Sequence, residues 1–355
     1  MYSLQLVRGI AAILVLLHHI TSIIYKNSNY EYALGIFDYG SIGVDLFFIL
    51  SGFLIFTLHY QEIGYSNKLG IFFKKRLIRI YPVYWVVTLA LIPIYFIMPS
   101  FGVGYESDPG VILKSLFLIP QDHDPILGVG WSLVYEVFFY IMFGLFILLG
   151  KKPAAIILSA WMVASISLLN FEFGNYFFKF LFSPIIFEFL LGCLMAFLLL
   201  NVRFKQSLSI FFLGAVTFLG AVLLDEFVFD SLSREGIVRV LIYGISSFLI
   251  ILGIILIERQ GNFKSNRMMT YFGDASYSIY LVHIPVILFL NKVFDFLGLY
   301  GTLSYPIATS ILALVTLGSG CIFHNLIEKP LLSFLRKKII YKDKNKSNVP
   351  HAKAV

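Results

Sequence analysis

The chain has 355 residues, of which 59% are hydrophobic and 13% charged, and its mean hydropathy is +0.87. A soluble domain averages about 25% charged residues, so this composition excludes an ordinary soluble protein. The net charge of +7 does not indicate nucleic-acid binding either, because the basic residues flank apolar segments. Cys193 and Cys321 lie inside apolar runs, so we expect buried thiols and neither a disulfide framework nor a metal site.

Apolar runs long enough to cross a bilayer recur along the whole chain, without the alternation that membrane β-strands show. We therefore predict an all-α membrane protein, a polytopic bundle of about ten transmembrane helices. The first run contains Arg8 and no cleavage site follows it, which indicates a retained helix instead of a signal peptide. The apolar stretch 111–120 is too short to span and predicts a re-entrant or interfacial segment. The predicted spans are 4–24, 40–60, 80–98, 131–149, 154–170, 177–200, 207–224, 237–257, 271–293 and 304–326.

Basic residues are distributed unequally between the two sides of this arrangement. With the N-terminus inside, 20 Lys and Arg residues fall on the inner side and 6 on the outer side, while Arg8 stays in the membrane. The positive-inside rule then places both termini in the cytoplasm. We expect residues 1–335 to form one integral-membrane domain and residues 336–355 to form a basic, disordered cytoplasmic tail.

The first predicted span carries a cation and an imidazole on one face. Arg8 and His19 have ten residues between them, and the eleven helical steps return almost to the starting angle, about 16 Å along the axis. Ionisable residues in membrane helices usually face a bundle interior or a water-filled cavity, where they mark function. His18 points about 100° away from His19, so we expect a structural or bystander role for it.

The second predicted span carries Asp45, within the sequence GSIGVDLFFILSGFLI. Its carboxylate has two interpretations, because a buried acid in a membrane helix serves either a functional site or helix pairing. The second interpretation draws on the small neighbours Gly40, Gly43, Ser51 and Gly52, whose size suits close helix contact.

The stretch FFKKRLIRIYPVYW, residues 72–85, stands at the inner end of the third predicted span. Arg76 and Arg79 are three residues apart and share one side of a helix, next to Tyr81 and Trp85. Guanidinium groups bind phosphate bidentately and aromatic rings stack on bases, so the stretch suits an anionic nucleotide. The positive charge that ordinarily flanks a membrane helix explains it equally well.

Two further ionisable residues lie in the fourth and ninth predicted spans. Like His19 and Asp45, Glu136 is about five residues from the outer end of its span, so we expect all three roughly 8 Å inside the outer boundary. His283 reaches a similar or slightly deeper level. Ionisable groups from several helices at one depth predict a shared site, although Glu136 has the alternative role of neutralising a nearby Arg or His.

Five sequence blocks together resemble a known family. In chain order they are RGIAAILVLLHH, GVDLFFILSGFLI, KKRLIRIYPVYW, WSLVYEVFFY and GDASYSIYLVHIP. They resemble the signature blocks of the acyltransferase-3 family of integral-membrane acyltransferases, over a stretch from about residue 3 to the EKP of 328–330. Members of that family transfer an acyl group, commonly acetyl, from cytoplasmic acyl-coenzyme A to sugar hydroxyls of cell-surface glycoconjugates. The resemblance therefore implies an O-acyltransferase acting on a cell-surface polysaccharide such as O-antigen, capsule or exopolysaccharide.

The resemblance also implies roles for individual residues. Arg8 and His19 match the family's Arg-x10-His, which makes His19 the catalytic candidate and Arg8 a donor-binding one. Arg76 and Arg79 match its Arg-x-x-Arg, thought to serve the donor, with Tyr81 beside them. The other candidates are Glu136 and Asp45 as catalytic partners of the imidazole, and His283, Tyr277 and Trp131 as substrate-binding residues.

Acyl transfer to a hydroxyl needs a general base and stabilisation of a tetrahedral oxyanion. His19 is either that base or the group that becomes acylated in an acyl-histidine intermediate. We expect no permanently bound cofactor. The expected partners are acyl-CoA as co-substrate (acetyl-CoA first), a sugar or polysaccharide acceptor that can be lipid-linked, and the lipid bilayer of a bacterial cytoplasmic membrane.

A transporter or flippase for polysaccharide or lipid-linked sugar is the alternative function, because buried charges and interrupted helices also mark transport paths. Such a protein is expected to show pseudo-symmetric halves with paired broken helices. The sequence contains no such pair, which favours the enzyme.

Overall fold

The computed structural model of the protein describes residues 1–28, 30–229, 235–264 and 266–341. Over these residues the secondary structure is helical and contains no strand, which confirms the predicted all-α fold class. The α-helices of the described residues are α1 (Tyr2–Ser28), α2 (Ile42–His59), α3 (Leu69–Ile97), α4 (Pro109–Leu116), α5 (Trp131–Leu149), α6 (Lys151–Ser167), α7 (Tyr176–Leu181), α8 (Phe187–Asn201), α9 (Ser207–Leu224), α10 (Ile237–Arg239), α11 (Ile245–Arg259), α12 (Arg267–Phe296), α13 (Leu299–Thr302), α14 (Tyr305–Phe323) and α15 (Lys329–Leu335).

Short 3₁₀ and π-helical turns extend several of these helices. The 3₁₀ segment Tyr32–Ser41 leads into α2, and the π-helical turn Arg336–Tyr341 continues α15. The last helix therefore runs past position 336, where the predicted tail begins. Residues 342–355 of that tail lie outside the described residues.

Among the described residues, nine helical segments are long and apolar enough to cross a membrane, judged by length and composition. They correspond to nine of the ten predicted spans, so the protein is a multi-pass membrane protein. The segments are Tyr2–Lys26, Tyr32–Glu62, Ser66–Ile97, Gly128–Leu149, Tyr176–Asn201, Ser207–Phe229, Ile237–Arg259, Arg267–Phe296 and Tyr305–Ile339.

The remaining predicted span, 154–170, corresponds to α6, which has 17 residues and a length of about 25 Å. The indole N–H of Trp161 donates to the carbonyl oxygen of Leu181 (2.9 Å), at the end of α7. The neighbouring ring of Phe180 stacks on Tyr135 near the start of α5, with centroids 4.4 Å apart. α6 therefore runs back beside α5 toward the end where α5 begins. With α6 counted, the described chain has the ten helices predicted as spans; that α6 crosses the membrane and that both termini lie on one side stay predictions.

The segment between α3 and α5 folds back into the bundle. Three side chains from the middle of α3 donate hydrogen bonds of 2.8–2.9 Å to consecutive carbonyl oxygens at the end of α4. One of them, Tyr84, is fully buried and lies about 20 Å before the end of α3. The chain around 111–120 is thus re-entrant, one of the two arrangements predicted for it. As a consequence, α5 begins inside the bundle instead of at its surface.

Glycines and aromatic rings hold the centre of the bundle together. A Cβ on Gly43 would overlap the carbonyl oxygen of Ala11 in α1, and one on Gly52 would overlap that of Phe189 in α8. These contacts agree with the predicted helix-pairing role of small residues in α2. The Phe189 ring also lies 4.6 Å from that of Phe48, within the largest buried apolar cluster.

Cysteine accessibility in intact cells tests the ten-helix topology. In a background with Cys193 and Cys321 replaced by alanine, Glu172→Cys should react with a membrane-impermeant maleimide added from outside. Lys152→Cys and Lys205→Cys should react only after permeabilisation, because α6 returns beside α5 and the charge asymmetry places these lysines inside. Labelling of Lys152→Cys and Lys205→Cys from opposite sides would show that α6 does not cross.

Candidate active site

A cavity of about 370 Å³ lies in the centre of the bundle, between α1, α2, α3, α5 and α12. Its lining is mostly apolar, but cations outnumber acids among the charged residues that face it. An excess of buried or half-buried cations requires an anion for compensation, so the cavity suits an anionic ligand. The charged lining residues are Arg8, Lys75, Arg76, Arg79, Arg336 and Glu136.

Arg76 is held in place without losing its charge. Its Nη2 lies 3.1 Å from Nε2 of His59, at the end of α2, and its guanidinium lies 6.0 Å from the ring centre of Tyr140. Nε of Arg76 is buried and has no hydrogen-bond partner among the described residues. Arg76 lines the cavity and has no acidic partner among the described residues, so its guanidinium suits a phosphate oxygen as acceptor.

Arg79 is paired with an acid. Its Nη1 lies 3.1 Å from Oε1 of Glu328, which is 2% exposed, and its guanidinium lies 5.0 Å from the ring centre of Tyr277. The other oxygen of Glu328 accepts from Ser278 (2.6 Å) and lies 2.8 Å from Nδ1 of His324. The orientation of Arg79 is therefore fixed, and its charge is partly balanced.

Arg8 and Glu136 face each other across the same cavity, from α1 and α5. The Glu136 carboxylate accepts hydrogen bonds from the hydroxyls of Ser51 (2.8 Å) and Tyr140 (2.5 Å). Nη1 of Arg8 lies 3.5 Å from Oε1 of Gln5. The predicted neutralising role of Glu136 agrees with its place in a cavity lined by cations.

His19 pairs with His283 on α12, and the contacts define the proton positions. Nδ1 of His283 lies 2.7 Å from the carbonyl oxygen of Tyr280, so this nitrogen carries the proton and Nε2 is an acceptor. That Nε2 lies 3.2 Å from Nδ1 of His19, which is also 2.9 Å from the Val15 carbonyl oxygen. Nδ1 of His19 therefore carries its proton, and Nε2 is the basic nitrogen of the neutral ring.

Tyr280 lies between the cavity and the histidine pair. It lines the cavity, and its ring lies 5.8 Å from His283 and 5.7 Å from Phe47. His283 follows the cavity residue Tyr277 by six positions, about 9 Å along α12. A flexible part of a ligand bound at the cations could therefore span the distance to the histidine pair. Tyr280 and Phe47 lie on the side of the cavity that is next to this pair.

Asp45 lies in a separate buried charge cluster. Its Oδ2 is 2.5 Å from Nη2 of Arg239, which also donates to the carbonyl oxygen of Ser41 (3.2 Å). Glu188, fully buried on α8, lies near Asp45, and neither of its carboxylate oxygens has a hydrogen-bond partner among the described residues. The cluster joins α2 to α8 and α10, so these contacts support the helix-pairing interpretation of Asp45. It also places Arg239, assigned to an outer loop by the sequence, inside the bundle with 8% exposure.

The predicted common depth of the ionisable residues is wrong for Asp45. Gly43 packs against Ala11, eight residues before His19, so this part of α2 lies about 12 Å from His19 along α1. The physical reason is that a bent 3₁₀ segment, Tyr32–Ser41, with left-handed backbone at 33–35, precedes α2, so position 40 is not the end of the span. Asp45 is therefore much farther from the end of its span than its sequence position indicates.

Glu136 also lies deeper than predicted. Ser132, near the start of α5, is 2.7 Å from the hydroxyl of Tyr280, which is one turn before His283. Glu136 is one further turn along α5, beside Ser51, because α5 starts inside the bundle after the re-entrant segment. Its place is in the cavity with Arg8.

Three other predicted binding residues have different surroundings. Tyr277 lines the cavity beneath Arg79. Trp131 packs edge-on against Phe48, a cavity residue, with ring centres 6.1 Å apart. Tyr81 donates to a carbonyl oxygen of the re-entrant segment, and this contact gives it a structural role in anchoring that segment.

The sequence did not single out His59, Tyr140, Glu328 or Arg336 as site residues. Glu328 stands in the EKP of 328–330, and Arg336 falls in the stretch predicted as tail. Tyr140 donates to Glu136 four residues earlier on α5, and His59 contacts Glu62 three residues later, but these local spacings did not indicate a site. Their contacts with Arg76 come from the packing of α2, α3 and α5.

Comparison with known proteins identifies the family of the chain. A family model described as an acyltransferase domain, that of the acyltransferase-3 family, matches residues 1–324. The chain belongs to this family. The predicted resemblance is confirmed, and the protein is a membrane enzyme of the acyltransferase class rather than a transporter. No solved structure matches the chain.

Several named proteins are similar to the chain. It is 27% identical over 312 residues to the exopolysaccharide production protein ExoZ of Rhizobium meliloti, covering 83% of this chain and 90% of ExoZ. It is 28% identical over 291 residues to the O-acetyltransferase OatA of Staphylococcus aureus, covering 72% of this chain and 47% of OatA. It is 26% identical over 341 residues to the peptidoglycan O-acetyltransferase OatA of Listeria monocytogenes, covering 82% of this chain and 50% of that protein. The chain thus spans about half the length of the OatA proteins.

Removing the cation of the buried cluster should destabilise the fold. Arg239→Ala leaves Asp45 and Glu188 buried without their guanidinium, and breaking a buried pair in this way typically costs about 3–5 kcal/mol. Thermal unfolding of the detergent-purified variant, followed by tryptophan fluorescence, should show a clear decrease in midpoint. Lys179→Ala, at an exposed position, is the control and should unfold like the parent. Equal stability of both variants would contradict a structural role for the cluster.

Proposed function

We propose that this acyltransferase moves an acetyl group from cytoplasmic acetyl-CoA to a hydroxyl of a cell-surface sugar or polysaccharide. The observation that carries the proposal is a cation-lined cavity whose lining residue Tyr280 is in ring contact with His283 of the histidine pair. The names of ExoZ and OatA, which refer to exopolysaccharide production and O-acetyl transfer, support the acceptor class and the acyl group.

The proposed donor site is the cationic end of the cavity. Coenzyme A is a polyanion, and Arg76 offers an unbalanced charge to its phosphates. Arg79, one turn further along α3, and Arg8 line the same cavity. The pantetheine arm would pass Arg8 and carry the thioester toward Tyr280, which contacts His283.

His19 is the proposed base. Its Nε2 takes the proton of the acceptor hydroxyl as the hydroxyl oxygen bonds to the thioester carbonyl carbon. The carbon–sulfur bond then breaks, and the proton passes from His19 to the leaving thiolate, which gives the ester and the thiol of coenzyme A. His283 acts through His19, because its Nε2 accepts the Nδ1 proton and keeps the ring in the basic tautomer.

An acyl-histidine intermediate would use the same nitrogen. In that case Nε2 of His19 bonds to the carbonyl carbon, coenzyme A leaves as thiolate, and the hydroxyl then attacks the acetylated ring. The two routes differ in one observable, because only the second gives an acetylated His19 when acetyl-CoA is supplied without acceptor.

The acceptor is proposed to reach the histidine pair from the outer side of a bacterial cytoplasmic membrane. In the predicted orientation, the chain after His19 and after His283 leads to the outer surface, away from the cations. An acceptor there can be a polysaccharide or a lipid-linked precursor. Donor and acceptor would thus enter from opposite sides and meet near His19.

Substitution of His19 tests the proposed chemistry. His19→Gln keeps much of the size and some hydrogen bonding but does not take up a proton near neutral pH, so transfer should decrease by about 10²–10⁴. His18→Gln, at the adjacent position that points away, should keep most of the activity. The measurement is transfer from labelled acetyl-CoA by membranes with matched protein levels, with product acylation followed by mass spectrometry.

Full transfer by His19→Gln would remove this histidine from the mechanism and direct attention to Glu136 and His283. Loss of transfer in both variants with normal coenzyme A binding would indicate a general disturbance of α1 instead of a specific base.

A further inference from the structure

His59, the last residue of α2, is buried beside the donor site and has no role in the reaction described so far. Its side chain is 3% exposed, and its ring packs edge-on against Phe72 with centres 5.0 Å apart. Nδ1 lies 2.5 Å from Oε2 of Glu62, while Nε2 lies 3.1 Å from Nη2 of Arg76. Glu62, His59 and Arg76 thus form a line from a partly exposed carboxylate into the cavity.

The ends of this line determine which nitrogen of His59 carries the proton. A carboxylate only accepts hydrogen bonds, so Glu62 keeps the proton on Nδ1. Nε2 then presents a lone pair, which accepts the N–H of Arg76. The opposite tautomer would place two N–H groups against each other at Arg76 and two acceptors against each other at Glu62. The contacts are consistent only with a neutral ring that accepts from the guanidinium.

A neutral partner differs from the carboxylate that holds Arg79. Glu328 fixes Arg79 and balances its charge, whereas His59 fixes Arg76 and leaves the charge unbalanced. The buried Nε of Arg76 has no hydrogen-bond partner among the described residues. Arg76 is therefore already oriented before a ligand binds, and its charge remains available to an anion. This order reduces the entropy lost when the ligand binds.

We propose that His59 is a positioning residue for donor binding, which holds the Arg76 guanidinium in the orientation that binds a phosphate of acetyl-CoA. This inference rests on the proposed donor site. Glu62 supports His59 from behind, as an outer carboxylate orients a histidine in many catalytic and metal sites. The effect of His59 should reach the donor only through Arg76.

The experiment compares single and double variants of the full-length protein in detergent. His59→Phe should raise the Kd for coenzyme A and the KM for acetyl-CoA about tenfold, which corresponds to about 1.4 kcal/mol, with little change in kcat. His59→Gln retains an oxygen acceptor and should raise both by only about threefold. In an Arg76→Ala background neither change at His59 should weaken binding further, because the coupled partner is absent. The readouts are isothermal titration with coenzyme A and initial rates.

The outcomes separate the positioning role from the donor site itself. His123→Gln, in the segment before α5 where the ring stacks on Tyr105 at 4.5 Å, is the control and should bind coenzyme A normally. If Arg76→Ala binds coenzyme A as tightly as the parent, the donor site is wrong. If Arg76→Ala binds weakly but changes at His59 have no effect, or the same effect in both backgrounds, the positioning role is wrong and the donor site stands. If His59→Phe does not fold, His59→Gln is compared in the two backgrounds instead.

Discussion

A guanidinium inside a helical membrane protein needs an anion or a hydrogen-bonding partner, because its desolvation costs several kcal/mol otherwise. The arginines of this bundle meet that requirement in different ways. Arg239 is paired with Asp45, and Arg79 is paired with Glu328, so both are held within the protein. Arg76 donates to the neutral imidazole of His59, and its buried Nε has no hydrogen-bond partner among the described residues. Arg8 lines the same cavity as Glu136. The unbalanced charge therefore collects at one cavity, and this distribution determines where a polyanionic donor can bind.

The second constraint is the distance between that charge and the reactive group. The histidine pair lies about 9 Å beyond Tyr277 along α12, with Tyr280 and Phe47 at the passage. A carbonyl oxygen fixes the tautomer of His283, and His283 in turn fixes that of His19, so the basic nitrogen is set by backbone contacts. Donor affinity thus belongs to the cavity, and chemistry belongs to the histidine pair beyond Tyr280. This separation suits an enzyme whose donor and acceptor approach from opposite sides of a membrane.

The sequence could predict what depends on periodicity within one helix. The shared face of Arg8 and His19 and that of Arg76 and Arg79 follow from helical spacing alone. Arg8, Arg76 and Arg79 line the cavity, and His19 contacts His283 next to it. The number of apolar runs gave the all-α class, and their charged flanks gave an orientation that cysteine labelling can test. These features need no knowledge of how the helices pack.

Depth and partnership could not be predicted, because both depend on where helices start and what they touch. Asp45 was placed by counting from position 40, but a bent 3₁₀ segment, Tyr32–Ser41, precedes α2. Glu136 was placed by counting from the start of α5, which lies inside the bundle after a re-entrant segment. The spacing of His59 and Glu62 is visible in the sequence, but the role of His59 arises from a contact between α2 and α3.

The central claim is that coenzyme A bound at Arg76 brings its thiol past Tyr280 to the histidine pair. A cryo-electron microscopy structure of the full-length protein with coenzyme A bound tests it most directly. The account predicts density for the phosphates against Arg76 and Arg79, with the pantetheine arm past Arg8 and the thiol near Tyr280 and His19. Coenzyme A bound outside this cavity, or bound with its thiol directed away from His19, would contradict the account.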